Sequence, residues 1–189
     1  LTLTSPTNQS EVYTYNAGLT DTTITWTKLG NIKKVMLRYS TNNGTSYPNT
    51  IQRNDTNTSL IWPIPDAIGT NLKVNATDEA NSNVWDDSNY SFAIKGSIEV
   101  IAPNTNVSWT RGSTQQIQWK PTGTYPQDLV IYLSNDSGGN WTKIADSLSP
   151  GADNVTQTWN WTNLPDDISS TARIKVATNT SSSINVNDT

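Results

Sequence analysis

Short runs of alternating apolar and polar residues recur along the whole chain. A threonine separates Ile24 from Trp26, and a glutamine separates Ile117 from Trp119. Alternation of this kind places the apolar residues on one face of a half-buried β-strand. Sustained apolar spacing at i, i+3, i+4 and i+7, which would indicate amphipathic helices, does not occur. The pattern therefore predicts an all-β protein.

The alternating runs occur twice in the same order, which indicates an internal repeat. The matched blocks are LTLTSP (1–6) with IEVIAP (98–103), TITW (23–26) with QIQW (116–119), MLRYSTNNGTSY (36–47) with VIYLSNDSGGNW (130–141), LIWPIPDAI (60–68) with WNWTNLPDDI (159–168), and NLKVNAT (71–77) with ARIKVAT (172–178). The last match places Lys73 and Lys175 at equivalent, outward-facing strand positions. We predict two modules, 1–96 and 97–189.

Turn-forming residues separate the predicted strands within each module. Asn-Asn-Gly at 42–44 and Asp-Ser-Gly-Gly at 136–139 are hairpin signals, while Pro65 and Pro165 end strands. Short strands, about seven per module with turns every 8–12 residues, are typical of immunoglobulin and fibronectin-III sandwiches. The predicted fold is therefore two tandem immunoglobulin/fibronectin-III-like β-sandwiches.

The two modules differ in their final strand. Module one continues beyond the strand at 71–77 into a last strand at 89–94, whereas module two stops at Thr189, which lies opposite Ser88 in the match. We expect the last strand of module two to be absent from the given chain. Either the chain continues into another repeat, or a neighbouring subunit supplies the strand by β-strand addition.

The composition excludes many classes of enzyme. The 189 residues include no histidine and no cysteine, so a Ser-His-Asp triad, a cysteine nucleophile, a thiolate or imidazole zinc site and a disulfide are all impossible. Glutamate occurs only at Glu11, Glu79 and Glu99, and the adjacent Asp86 and Asp87 point apart on an extended chain, which disfavours the carboxylate pair of a glycosidase. We predict a non-enzyme without catalytic residues.

The charge distribution argues against two further classes of partner. The formal net charge is −4, and the 12 lysines and arginines are scattered along the chain, whereas nucleic-acid binding requires a clustered basic face. The chain also contains no apolar run of about 18 residues, the minimum for a membrane-spanning helix. We therefore expect neither nucleic-acid binding nor a membrane span in this chain.

The clearest chemical signal is the N-glycosylation sequon, Asn-x-Ser/Thr. It occurs roughly twice as often as random placement of the same residues would give, and the thirteen sequon asparagines are Asn8, Asn43, Asn54, Asn57, Asn75, Asn89, Asn106, Asn135, Asn140, Asn154, Asn160, Asn179 and Asn187. Asn160 is expected to face solvent because Trp159 and Trp161 face inward. We predict N-glycans on a secreted or archaeal surface protein. The alternative is that the sequons reflect only the composition and the preference of asparagine for turns.

An acidic loop is a weaker candidate for a calcium site, and no other cofactor is expected. Asp78, Glu79, Asp86 and Asp87 offer oxygen ligands of the kind that Ca²⁺ takes. The equivalent loop of module two retains only Asp188, and the spacing is not that of an EF-hand. A solvated loop is the competing interpretation.

Five of the eight tryptophans carry a prediction. Trp26 and Trp119 recur at matched positions, as do Trp62 and Trp161, which predicts that these four form the cores of the modules. Trp85 has no tryptophan counterpart and lies in a polar, acidic stretch. It is therefore the candidate for an exposed contact with a ligand such as a glycan.

The order of the motifs resembles a known cell-surface module. SPTNQSEVYTY, ITW, RYSTNNGTSY, LIWPIP, LKV and SFAI follow one another in the first half, and APNTNVSWTRGS, IQW, YLSNDSGGNW, WNWTNLP and IKV in the second. This order resembles the Ser/Thr-rich module of fungal GPI-anchored wall proteins involved in β-glucan assembly, a module also found in repeat arrays of bacterial and archaeal surface proteins. Tyr13 and Tyr47 stand where tryptophan is more usual. The resemblance implies a fibronectin-III-like sandwich in a wall, envelope or adhesive setting, without catalytic residues.

These observations together predict a glycosylated, non-enzymatic extracellular structural protein. We expect it to be a subunit or segment of an S-layer, sheath, surface filament or adhesin stalk. It would self-associate through strand edges into a filament or lattice, or continue into further repeats. The alternative is a carbohydrate-binding or adhesive module of a larger wall-associated protein, which exposed aromatic residues would favour.

Overall fold

The structure, a computed structural model, consists of β-strands and connecting turns throughout the residues it describes, as the alternation predicted. The described residues are 1–7, 14–18, 21–166, 169–179 and 187–188, with the backbone alone for 14, 15, 187 and 188. The chain divides into two compact units, Leu1–Lys95 and Gly96–Thr189. We call them unit 1 and unit 2.

Unit 1 contains nine of the described strands and unit 2 contains seven. The strands of unit 1 are β1 (Thr2–Ser5), β2 (Thr14–Asn16), β3 (Asp21–Thr27), β4 (Val35–Ser40), β5 (Asn49–Asp55), β6 (Ser59–Pro63), β7 (Gly69–Asp78), β8 (Asn81–Asp87) and β9 (Phe92–Lys95). Those of unit 2 are β10 (Ser97–Ala102), β11 (Gln115–Thr122), β12 (Leu129–Ser134), β13 (Thr142–Leu148), β14 (Gln157–Trp161), β15 (Arg173–Thr178) and β16 (Asn187–Asp188).

The strands of unit 1 form two sheets. One has the order β1-β3-β6 and the other β2-β9-β7-β4-β5, with β8 paired to β7. The long strand β7 pairs with β9 along Gly69–Leu72 and with β8 along Asn75–Asp78. All these pairs are antiparallel except β2 with β9, which is parallel.

The strands of unit 2 form a matching pair of antiparallel sheets. Their orders are β10-β11-β14 and β13-β12-β15-β16. In the sheet of β15, the described pairing partners are β12 on one side and the two-residue β16 on the other. Each unit is therefore an immunoglobulin/fibronectin-III-like sandwich, which confirms the predicted fold class.

Tryptophans occupy corresponding core positions in the two units. Trp26 lies opposite Leu3 in the ladder between β1 and β3, and Trp119 lies opposite Val100 in the ladder between β10 and β11. Both indoles are buried, as are Trp62 and Trp161, so the prediction that these four form the cores is confirmed. Large aromatic side chains close such thin cores because each removes a large apolar area from water.

The ladder between the central strands corrects the predicted equivalence of two lysines. Ser40 at the end of β4 lies opposite Lys73, whereas Ser134 at the end of β12 lies opposite Arg173. Lys175 lies two residues further along its strand and is not the counterpart of Lys73. The sequence match is displaced by two residues here, and alternation could not reveal this because a displacement of two residues leaves every side chain on the same face of the strand.

Candidate functional site

Most of the sequons lie on the surfaces of both units. Ten of the sequon asparagines have exposed side chains: Asn43, Asn54, Asn57, Asn89, Asn106, Asn135, Asn140, Asn154, Asn160 and Asn179. Asn160 faces solvent on β14 between the half-buried Trp159 and the buried Trp161, as the alternation predicted. Asn8 and the side chain of Asn187 lie outside the described residues.

Asn75 departs from the glycosylation prediction because its side chain is only 3% exposed. Its amide Nδ2 donates a hydrogen bond to the carbonyl of Asp86 at 3.2 Å, and its Oδ1 accepts one from the hydroxyl of Thr77 at 2.7 Å. A glycan on this nitrogen would have to replace a bond inside the folded sheet. Asn75 therefore has a structural role in the sheet. Alternation of apolar and polar residues could not predict its burial, because β7 is buried on both faces near this point.

Three other sequon asparagines adopt a backbone conformation that itself favours asparagine. Asn43, Asn54 and Asn154 have φ angles of 57°, 55° and 58°. Asparagine enters this left-handed region more readily than most residues other than glycine. Turn geometry alone can therefore explain asparagine at these three positions.

A buried serine organises the same turn in each unit. The Oγ of Ser40 accepts hydrogen bonds from the backbone N–H groups of Asn42 and Gly44, at 3.1 and 2.9 Å. It donates to Oδ1 of Asn42 at 2.7 Å. Ser134 makes the corresponding bond to Oδ1 of Asp136, also at 2.7 Å. The two turns thus have the same geometry, with a neutral side chain in one and a carboxylate in the other.

Hydrogen bonds to the carboxylate of Asp136 make the stability of the turn in unit 2 depend on pH. The backbone N–H of Asn140, the Ser134 hydroxyl and the Asn140 amide donate to Asp136, and together they lower its pKa from the ordinary 3.8 to about 2. A carboxyl group whose pKa is lower in the folded state contributes stability at any pH above its unfolded value. That contribution is lost as the pH falls from about 4 to about 2.

Replacing Asp136 by asparagine is expected to reduce the loss of stability of unit 2 between pH 4 and pH 2. Asparagine preserves the geometry, since Asn42 occupies the same place in unit 1, but it does not titrate. The free energy of unfolding of unit 2 is measured across this pH range from the hydrogen exchange of the amides of β12. Unit 1 of the same molecule is the internal control, and an unchanged pH profile of unit 2 would contradict the assignment.

The four acidic residues of the predicted calcium site do not converge. Asp78 accepts a hydrogen bond from the backbone two residues later at 3.1 Å, and Glu79 accepts one from the end of β5 at 3.0 Å. Asp86 accepts one from the backbone of β1 at 2.8 Å, and Asp87 accepts one from the hydroxyl of Tyr47. In the described part of the chain, no group of three or more acidic side chains could hold a metal ion. The carboxylates instead tie the loop to the surrounding strands.

Trp85 lies on the surface of unit 1. Its side chain is 56% exposed, and it stands opposite Thr77 in the ladder between β7 and β8. Tyr90, further along the chain, is 45% exposed. Trp85 is therefore accessible to a ligand, and its contact with a glycan stays a prediction.

Sequence reasoning did not identify a groove in unit 2 of about 840 Å³. Its apolar lining includes Leu133, Trp161 and Ile174, and its two walls are the segments 103–109 and 169–173. The Trp161 ring meets Trp109 edge-to-face, with centroids 6.3 Å apart.

In unit 1, β9 covers the position that corresponds to the groove. Phe92 of β9 packs edge-to-face against Trp62, the counterpart of Trp161, with centroids 6.2 Å apart. Phe92 and Ile94 are both buried in the core of unit 1. The two units thus share one sandwich plan but differ at this edge.

Charged residues line one end of the groove. Arg111 and Asp166 form an ion pair with a distance of 3.0 Å, and both side chains are largely exposed. Exposed pairs of this kind contribute only about 0–1 kcal/mol. Arg173 adds a second exposed cation to the lining. The groove thus combines an apolar floor with a polar rim.

Comparison with known proteins identifies no family. No protein-family model and no curated protein sequence matches the chain. Similar solved structures include fibronectin(III)-like modules of Clostridium thermocellum CbhA, with 16% identity over 98% of this chain and 90% of that one, at a TM-score of 0.30. A tetra-tandem repeat in the extending region of a large adhesion protein shares 20% identity over 93% of this chain and 47% of that one, at a TM-score of 0.35.

A third similar structure, DIP-gamma IG1+IG2, shares 11% identity over 93% of this chain and 89% of that one, at a TM-score of 0.30. At these identities the likenesses concern the fold alone. The sandwich assignment rests on the strand pairing described above, and the resemblance to the wall-protein module stays a prediction. Separately, the described residues include no helix that is long and apolar enough to cross a membrane.

Proposed function

We propose that this protein is a glycosylated, non-enzymatic extracellular structural protein, a subunit or segment of an S-layer, sheath, surface filament or adhesin stalk. The observation that carries the proposal is the exposure of ten sequon asparagines, spread over both sandwich units. N-glycans there would cover the faces of the sheets and keep them soluble. The two sandwiches would act as stiff spacers built from paired strands.

The chemistry of the side chains supports a structural role. The chain has no histidine or cysteine, and the carboxylates of the acidic loop are occupied by hydrogen bonds within unit 1. General acid–base and nucleophilic catalysis require an activated group beside a substrate cleft. The buried polar groups described here instead hold turns and strands together.

Assembly would proceed through the edges of the sheets. An edge strand presents backbone N–H and C=O groups that can pair with another chain. β1 and β6 form the two edges of one sheet in unit 1, and β13 forms an edge in unit 2. We include in the proposal the addition of a strand from a neighbouring molecule, a recognised mode of protein association.

Glycopeptide mapping of the protein purified from its natural source tests the proposal. We expect the intact mass to fall on enzymatic or chemical deglycosylation. Peptides that contain Asn160 should carry glycan, whereas peptides that contain the buried Asn75 should not. An intact mass that deglycosylation leaves unchanged would overturn the glycoprotein assignment.

Carbohydrate binding is a second candidate function, favoured by the exposure of Trp85. Exposed aromatic rings stack on the apolar faces of sugars, so a module of a larger wall-associated protein could use this side chain for adhesion. Binding to a glycan array that Trp85→Ala abolishes would support this function. Retention of that binding in the variant would exclude Trp85 as the contact.

A further inference from the structure

We propose that one sheet face of unit 1 binds an acidic oligosaccharide, with a uronate ring stacked on Trp85 and its carboxylate held by the guanidinium of Arg38. The inference rests on carbohydrate binding, the second candidate under the proposed function, because it names the class of sugar that Trp85 would contact. Three features support it: the strand register, the hydrogen-bond donors of Arg38 and the charges around them.

The register of the sheet places Arg38 and Trp85 on the same face. Arg38 of β4 lies opposite Asn75 of β7, and Thr77 of β7 lies opposite Trp85 of β8. Asn75 and Thr77 are two residues apart on one strand, so their side chains point the same way. Residues directly opposite each other also share a face. We call the surface formed by these four residues the Trp85 face.

The guanidinium of Arg38 extends across the sheet towards Trp85. Its Nη2 lies 3.4 Å from Oδ1 of Asn75 and 3.4 Å from Oγ1 of Thr77, so the group lies over β7. Trp85 is on the next strand, directly opposite Thr77. Neighbouring strands are about 4.8 Å apart, a separation similar to the width of one sugar ring. A single ring on the indole would therefore bring a substituent within reach of the guanidinium.

Most of the hydrogen-bonding capacity of Arg38 is unused within the described residues. Arginine carries several N–H donors, but the two bonds described above both come from Nη2, and both are long. The Nε has no partner in the described part of the chain, and none of the ion pairs found there involves Arg38. A partly buried cation without a carboxylate favours an anionic ligand. A carboxylate matches the fork of a guanidinium because its two oxygens can accept two parallel hydrogen bonds.

The nearby carboxylates leave the Trp85 face positively charged. Asp87 points to this face, but it accepts a hydrogen bond from the hydroxyl of Tyr47 and lies 3.7 Å from the ammonium of Lys73. Asp86 accepts a hydrogen bond from the backbone of β1 at 2.8 Å, and as the neighbour of Asp87 on the strand it points to the opposite face. The guanidinium and one ammonium thus stand against one carboxylate. This charge is complementary to an acidic ligand.

The surroundings of Trp85 favour a sugar over an apolar partner. The side chain is 56% exposed, while the preceding part of β8, Asn81–Asn83, is polar and exposed. An apolar peptide or a lipid chain would require a contiguous apolar patch. A pyranose ring has an apolar face that can stack on an indole and a polar rim that can bond to amides and to a guanidinium. A uronate has a carboxylate on that rim.

Titration calorimetry of the full chain with two matched trisaccharides tests the class of ligand. The probe is α-1,4-linked trigalacturonate, and the control is α-1,4-linked galactotriose, which has a hydroxymethyl group in place of each carboxylate. We expect trigalacturonate to bind at least about tenfold more tightly. The difference should shrink as the salt concentration rises, because the ion pair forms at a surface. Equal affinities at low salt would overturn the proposal.

Variants of the two contact residues locate the site. Trp85→Ala and Arg38→Gln should each reduce the affinity for trigalacturonate by at least about tenfold, and Arg38→Gln should also remove the preference over galactotriose. Arg38→Lys keeps the charge and loses the fork, so we expect an intermediate affinity. Arg173→Gln removes an exposed arginine from unit 2 and should change nothing. Equal effects of Arg38→Gln and Arg173→Gln would exclude the Trp85 face.

Hydrogen exchange of the β4 amides shows whether each variant remains folded. Trp85→Ala keeps the proposal testable if Arg38→Gln proves unstable, because the indole is exposed and its loss should leave unit 1 intact. Unchanged binding of trigalacturonate by a folded Trp85→Ala variant would overturn the stacking contact.

The outcomes separate this inference from the proposed function. Galactotriose binding that depends on Trp85 and equals the binding of trigalacturonate would overturn the acidic ligand and leave carbohydrate binding standing. Failure of both trisaccharides to bind would overturn the inference, while the glycosylated structural role would still be decided by glycopeptide mapping.

Discussion

Replacing Trp26 by alanine is expected to lower the free energy of unfolding of unit 1 by about 3–5 kcal/mol. The indole is only 1% exposed and lies opposite Leu3 in the core. Its removal leaves a cavity between two sheets that their backbone ladders hold in place, so the surrounding side chains cannot collapse to fill it. A loss of this size is a large part of the total stability of a small domain.

Hydrogen exchange followed by mass spectrometry measures this effect in the intact chain. Amides of β4 report on unit 1, while amides of β12 report on unit 2 and should not change. Trp85→Ala is the matched control, since this side chain is 56% exposed and its removal should change stability by less than about 0.5 kcal/mol. Similar losses for Trp26→Ala and Trp85→Ala would contradict the assignment of Trp26 to the core.

The two core tryptophans should also respond differently to phenylalanine. The Nε1 of Trp119 donates a hydrogen bond to the carbonyl of Pro150 at 3.2 Å. The Nε1 of Trp26 is buried and has no acceptor among the described residues. Trp119→Phe therefore removes a hydrogen bond, whereas Trp26→Phe does not. We expect Trp119→Phe to lower the free energy of unfolding of its unit by about 0.5–1.5 kcal/mol more than Trp26→Phe lowers that of unit 1.

Replacing Gly96 by alanine is expected to destabilise unit 2 by about 1–3 kcal/mol or more. A Cβ at this position would lie 2.5 Å from the carbonyl oxygen of Thr122 and 2.5 Å from the hydroxyl of Tyr125. Both distances are shorter than a non-bonded contact of a Cβ atom allows. The carbonyl belongs to β11, which cannot move without disturbing its pairing with β10. The small size of the glycine at the start of unit 2 is therefore required for close packing.

Gly69→Ala is the matched control for Gly96→Ala. A Cβ on Gly69 would meet only a methyl group of Leu72 at 3.6 Å, which is ordinary contact. Alanine at such a site is tolerated or slightly stabilising, because it restricts the unfolded chain. Urea unfolding of the two variants should show a loss for Gly96→Ala alone. If Gly69→Ala lowered the stability by a similar amount, the conformational freedom of glycine, and not close packing, would explain the effect of both substitutions.

Local alternation and internal repetition were enough to predict the features that depend on neighbouring residues. The burial of Trp62 and Trp161 and the exposure of Asn160 follow from the faces of a single strand, because side chains alternate with a period of two. The arrangement as two sandwiches follows from the internal repeat of this pattern. Such features need no knowledge of which strand pairs with which.

Features that depend on strand pairing were wrong or missed. Asn75 looks like a surface position when its strand is considered alone, and Lys175 looks like the counterpart of Lys73. In the sheets, however, Asn75 bonds to the backbone of β8, and Arg173 takes the ladder position of Lys73. The register is set by distant parts of the chain, and a sequence match displaced by two residues does not reveal it.

The sequence by itself therefore determined the all-β class, the internal repeat, the core tryptophans and the distribution of sequons. Only the tertiary structure decided which sequon is buried, where the acidic side chains bond, and where unit 2 has a groove. The physical reason is that periodicity is a local property of the backbone, whereas a ladder, a cavity or a buried amide exists only once strands far apart in sequence lie side by side.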